Sequence, residues 1–176
     1  MGISVRPETP DDCAAVAAVH IRAWQVAYAG IVPDHVLAAL DVTARTAWRL
    51  DRLADPDNPF RNLVAHDADT VTGFVCHGPY RAQELDGSPL RPEYGEILAI
   101  YVDPAHWGTG SGDALLLAAL DALPQAEVRL WVLADNDRAL RFYARHGLHP
   151  DGLRAAYRPT GSDVDIPELR CALRRG

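Results

Sequence analysis

Residues 96–112 read Glu96-Ile97-Leu98-Ala99-Ile100-Tyr101-Val102-Asp103-Pro104-Ala105-His106-Trp107-Gly108-Thr109-Gly110-Ser111-Gly112. The run from Ile97 to Val102 is apolar and predicts a strong strand over 96–102. A glycine-rich turn follows over 103–112, and the apolar stretch 113–123 predicts a helix behind it. Glycines between a strand and a helix let backbone N–H groups turn inward and face an anion at the helix N-terminus. A phosphate or diphosphate is the natural ligand for such a turn, although a tight connection alone would also use glycine there. A dinucleotide fold would place GxGxxG after the first strand. Here the position that would hold the third glycine is Asp113, so that reading fails on pattern and place.

Outward from this core, 128–133 predicts a second strand and 136–146 a helix closed by Gly147. Toward the N-terminus, 3–6 predicts a short strand. Thr9-Pro10-Asp11-Asp12 then supplies a helix start with a proline and early negative charge, and the helix should run to about Ala29, before Gly30. A second start lies at Pro33-Asp34 and a third helix at 44–53. Strands at 62–66 and 71–77 are joined by Asp67-Ala68-Asp69 as a hairpin. Residues 78–93, rich in Pro, Gly and charge, predict a long loop at the edge of the site. The tail predicts a closing pair of strands at 153–157 and 168–173.

With 176 residues, 48% hydrophobic and 23% charged, the chain fits one compact domain. Seventeen basic against 24 acidic residues give a net charge of −7, which argues against a nucleic-acid binder. All basic residues are arginines, which excludes Schiff-base catalysis and a Walker A lysine within this chain. Cys13, Cys76 and Cys171 form no CxxC pair, so no zinc site or disulfide framework is expected, and a reduced, cytoplasmic compartment fits. The N-terminal residues carry no apolar signal core, and no stretch approaches the roughly 18 apolar residues of a spanning helix. No membrane partner is expected.

Two motifs in order now carry a resemblance. Ile100-Tyr101-Val102-Asp103-Pro104 followed by Trp107-Gly108-Thr109-Gly110-Ser111-Gly112, then Leu130-Trp131-Val132 and Asn136-Asp137-Arg138-Ala139-Leu140-Arg141-Phe142-Tyr143, are similar to the GNAT superfamily of acyl-CoA-dependent N-acetyltransferases. The opening strand-helix and the Val71-Thr72-Gly73-Phe74 strand extend the likeness over nearly the whole chain. Two positions depart from the pattern: Trp107 stands where Gln or Arg is usual, and Leu148 where the turn usually ends in Phe. The resemblance implies an α/β fold with a mixed, mostly antiparallel sheet, helices on both faces, and a central parallel strand pair splayed apart at the cofactor site.

It also implies acetyl-CoA as cofactor. The amides from Trp107 through Gly108, Thr109, Gly110, Ser111 and Gly112 to Asp113 would hold the diphosphate, and the strand edge at Ile100, Tyr101 and Val102 would run beside the pantetheine arm. Asn136 would contact the pantetheine amide, although an N-cap alone would explain it, and Phe142 would line the same cleft. Tyr143 matches the position that protonates the departing sulfur, and Glu96 a position where a carboxylate takes the amine proton, often through water. His20, Trp24 and Tyr28 share a helix face that is either core or a wall of the acceptor pocket; Trp24 and Tyr28 are the candidate acceptor contacts, as in a bacterial branch of small-amine and polyamine acetylators. Arg138, Arg141 and Arg145 form a ridge that reads as a solvated face or a contact to the 3′-phosphate of CoA. The His146/His149 pair is a weak metal motif. The expected reaction is acetyl transfer to a primary amine of a small molecule or protein, and a non-catalytic acyl-CoA sensor is the alternative. A homodimer is common in the family.

Overall fold

Local signals set the order of elements, which a computed structural model describes for residues 2–81 and 90–176. Strand β1 (Ser4–Pro7) leads through a 3-10 turn into helix α1 (Cys13–Ala27), which ends two residues before the expected Ala29. The Thr9 amide and hydroxyl both donate to Asp12 at 2.8 Å, and Arg6 grips the same carboxylate at 2.8 Å. These contacts satisfy the helix start and hold Asp12 far below the usual carboxylate range. Short α2 (Asp34–Ala38) follows. Helix α3 (Val42–Ala54) is capped by Asp41, which accepts from the Ala44 amide at 2.6 Å. Then come β2 (Arg61–Asp67), β3 (Thr70–Arg81), β4 (Leu90–Val102), α4 (Ser111–Ala122), β5 (Glu127–Leu133), α5 (Asp137–Arg145), β6 (His149–Tyr157) and β7 (Ile166–Arg174).

The strands form one sheet in the order β1-β2-β3-β4-β5-β7-β6. All neighbours are antiparallel except β4 and β5. Successive side chains on a strand face opposite sides, and the apolar core divides accordingly. Ala65, Val75, Ile97, Val128 and Leu130 pack under α4, with Tyr143 of α5 in the same cluster, while Val64 and Phe74 pack with Val16 of α1. Leu148, where the family pattern prefers Phe, is fully buried in the α4 cluster. Helices therefore cover both faces, as expected.

The loop expected over 78–93 is corrected. Gly78, Pro79, Tyr80 and Arg81 continue β3 and pair with Glu96, Gly95, Arg91 and Leu90. Residues 82–89 lie outside the described residues. Pro79 and Pro92 stand at a register slip between Pro79 and Tyr80, where residues 92–94 oppose nothing on β3, so Pro92 costs the β3–β4 ladder no donor.

Candidate active site

The central parallel pair holds only at Gly95 opposite Val128 and Glu96 opposite Arg129. Immediately after these rungs Leu98 is an extra residue, since Ile97 faces His77 and Ala99 faces Cys76. This bulge bends β4, and from Ile97 to Val102 its edge no longer pairs with β5. On its other side β4 stays tight against β3: a Cβ at Gly73 would stand 2.7 Å from the Tyr101 carbonyl oxygen, so only glycine fits. The result is a wedge walled by strand backbone that carries unpaired N–H and C=O groups.

The glycine turn closes the wide end of the wedge. Asp103 accepts from the Ala105 amide at 3.0 Å and from Arg22 Nε at 2.9 Å, which anchors the turn's first residues. Gly108 (φ +78°) and Gly110 (φ +94°) adopt left-handed backbone that side chains rarely enter. The first amide satisfied within α4 is that of Ala114, which donates to Gly110 O at 3.0 Å. Among the described residues the amides of Gly108, Gly110, Ser111, Gly112 and Asp113 make no backbone hydrogen bond and stand at the positive end of α4. The Trp107 indole N–H donates to Val102 O at 2.9 Å and pins the turn to the end of β4. Thr109 and Ser111 also turn their hydroxyls inward: Thr109 to His106 O at 2.7 Å and to Ser111 at 3.1 Å, and Ser111 to Thr72 at 3.0 Å. Their side chains hold the turn; the Thr109 amide also donates to His106 O at 3.4 Å, and of the two amides only that of Ser111 remains for a ligand. Asp113, the one carboxylate near these amides, is drawn aside by His146 Nε2 at 2.7 Å.

One cavity of about 520 Å³ runs along the wedge. It brings together Glu96, Ile100, Tyr101, Val102, Trp107, Gly108, Gly110, Gly112, Asp113, Asn136, Phe142, Tyr143, Trp24 and Tyr28, that is, every candidate residue except Thr109 and Ser111. Asn136 caps α5, its side chain accepting from the Ala139 amide at 3.1 Å, so one of its lone pairs is already used. Phe142 lies against Gly112, where a Cβ would come within 3.3 Å, and this close approach seats α5 on the start of α4. Tyr143, nine-tenths buried, faces the cavity from the next position; burial pushes its hydroxyl well above the usual phenol range, with Tyr101 and Cys171 adding to the shift. The group is therefore protonated at any physiological pH.

At the other end, α1 presents aromatic rings. Trp24 lies edge-on to Tyr28 with centroids 5.0 Å apart, and the Tyr28 and Tyr101 hydroxyls are 3.1 Å apart. His20 stacks on Tyr101 at 4.7 Å, and neither of its ring nitrogens has a hydrogen-bond partner among the described residues. Burial, with the Arg45 and Arg49 charges adding to it, pushes its pKa down to about 3, so the ring is neutral and a poor proton acceptor. The helix stripe is thus both core and cavity wall. Glu96 is almost fully buried, and its carboxylate accepts from the Arg81 amide at 2.9 Å and from the Arg81 guanidinium at 2.9 and 3.2 Å.

Among the cavity residues that sequence reasoning did not single out are Arg81, Tyr157 and Glu168. Arg81 fell in the supposed loop, and the other two arrive from β6 and β7 with no local motif. Of the arginine ridge, Arg141 is exposed, Arg145 stands 4.0 Å from Asp113, and only Arg138 reaches across to the turn, its guanidinium 3.2 Å from the Trp107 ring centre.

Comparison with known proteins agrees with this geometry. The chain is 26% identical over 173 residues to a probable N-acetyltransferase of Mycobacterium tuberculosis, an alignment spanning 98% of this chain and 94% of that protein. It is 34% identical over 107 residues to the mycothiol acetyltransferase of Kocuria rhizophila, covering 59% of this chain and only 34% of that longer protein. Among solved structures, the PaiA N-acetyltransferase of Thermoplasma acidophilum in complex with coenzyme A shares the fold over 99% of both chains, with a TM-score of 0.74 at 19% identity. Residues 21–148 match the acetyltransferase (GNAT) family, and with the splayed strand pair and the amide-lined turn in place the chain belongs to that family.

Proposed function

We propose that the protein transfers the acetyl group of acetyl-CoA directly to a primary amine of a small molecule or a protein. The observation that carries this reading is the wedge itself: unpaired β4 backbone, free amides at its wide end and a protonated tyrosine within one cavity. The residues fit the cofactor. The amides of Gly108 to Asp113 would bind the diphosphate, and the β4 edge at Ile100, Tyr101 and Val102 would pair with the pantetheine arm as an added strand. Asn136 and Phe142 would line that arm. When bound, acetyl-CoA supplies an activated thioester.

The chain's own groups handle protons and charge. Backbone N–H groups near Tyr101 and Val102 polarise the acetyl carbonyl. Tyr143 holds the proton given to the departing thiolate; its high pKa keeps it loaded, and the thiolate, at about 8.5 when free, must be brought close by the site to take it. An incoming ammonium, with a free pKa of about 10.4, must lose a proton before attack. Glu96 is assigned as its acceptor, through water, and the neutral His20 is too weak a base for that task. Arg81 holds the Glu96 carboxylate toward the cavity. Trp24 and Tyr28 wall the acceptor end, and their ring faces suit a cationic amine, in keeping with the small-amine and polyamine branch.

The test is thiol release from acetyl-CoA against polyamines, aminoglycosides, amino acids and peptide N-termini. Tyr143→Phe should lower release by about 100-fold or more while CoA still binds; unchanged release would remove Tyr143 from the reaction. Binding of acetyl-CoA with no release for any amine would favour the sensor instead.

A further inference from the structure

The described residues around the cavity offer few free cations. Arg81 is held by Glu96, and Arg145 stands over Phe142 beside Asp113. The Trp107 indole has spent its only donor on Val102, and it carries no charge. The turn therefore presents amides to an anion without a full positive charge of its own.

Arg138 is placed differently. It is the second residue of α5, where the helix dipole disfavours a cation. Among the described residues no carboxylate pairs with it, and its guanidinium lies over the Trp107 ring, 3.2 Å from the centroid. That contact holds the guanidinium against Trp107, in the cavity that Gly108 and Gly110 also line, while Arg138 remains exposed. A side chain in an electrostatically poor position, held against a ring and without a counter-ion among the described residues, is arranged for an anion that arrives later. Resting on the acetyl-CoA reading above, we infer that Arg138, clamped by Trp107, supplies the charge that binds the diphosphate and so is a positioning residue for the thioester. The 3′-phosphate has the same chemistry, and the two are separable.

The experiment is calorimetric titration of CoA and of dephospho-CoA, which lacks the 3′-phosphate, into the wild type, Arg138→Gln and Arg154→Gln. The last makes the same charge change on exposed β6. Arg138→Gln should weaken both ligands about tenfold or more, the loss of one charge-assisted contact, with a shallower salt dependence and an unchanged ligand-free melting temperature. Arg154→Gln should bind both ligands like the wild type. A loss confined to CoA would assign Arg138 to the 3′-phosphate and overturn the proposal, as would equal binding by Arg138→Gln and wild type. An equal loss in Arg154→Gln would reduce the effect to net charge and also overturn it. Failure of the wild type to bind either ligand would instead refute the underlying acetyl-CoA reading.

Discussion

Acidification from pH 7 to pH 5 should cost this protein stability through the buried imidazole of His20. His20 is buried among Trp24, Phe74 and Tyr101 with no hydrogen-bond partner among the described residues for either ring nitrogen, and its pKa falls from 6.5 to about 3 in the folded state. A depressed folded pKa means that the unfolded chain binds the proton first. The contribution is complete above pH 6.5 and is lost as pH falls toward 3. At pH 5 only the unfolded state is protonated, which amounts to about 2 kcal/mol from 1.5 pH units at 1.36 kcal/mol each. His20→Phe keeps a ring against Tyr101 and removes the titration. With a urea slope of about 2 kcal/mol/M, the midpoint of the wild type should fall between pH 7 and pH 5 by about 1 M more than that of the variant. Tryptophan fluorescence follows the transition, since Trp24 adjoins the site. Parallel shifts in the two proteins would show that His20 is not held neutral, and would reopen it as a proton acceptor in the reaction.

Two further outcomes concern the scaffold. Glu8 and Arg49 form a buried pair at 2.6 and 2.7 Å, with the guanidinium over Phe74 at 4.5 Å. Glu8→Gln leaves that charge buried and uncompensated and should cost about 3–5 kcal/mol in urea denaturation, whereas the double change Glu8→Leu with Arg49→Met should recover most of the loss; equal losses in both proteins would contradict this account. Gly73→Ala forces β3 from β4 at the Tyr101 carbonyl and should cost about 1–3 kcal/mol while weakening CoA binding, read by thermal midpoint and calorimetry. Wild-type stability would show that the close approach is not needed.

The elements around the wedge were legible because their signals are local. Apolar β-prone residues made β4, glycines in left-handed backbone made the turn, and Asn136 capped α5 where helix chemistry places it. The arms of β3 and β4 beyond Gly78 were not, because pairing between distant segments outweighs Pro and Gly composition. The same limit explains the site. Residues on one element, such as Trp24 and Tyr28, could be grouped by helical spacing. Tyr157 and Glu168 reach the cavity only because β7 inserts between β5 and β6, an arrangement no short window of sequence encodes. Trp107 shows the converse: its identity was plain, but whether its N–H faced a ligand or Val102 depended on the bend of the turn.

Among the described residues two rungs, Gly95 to Val128 and Glu96 to Arg129, are all that stitch the halves of the sheet together through strand pairing. A ligand that occupies the gap would complete the ladder and behave as a temporary eighth strand. Its free concentration would then count among the determinants of folding, adding about 2.7 kcal/mol at a hundredfold excess over its dissociation constant.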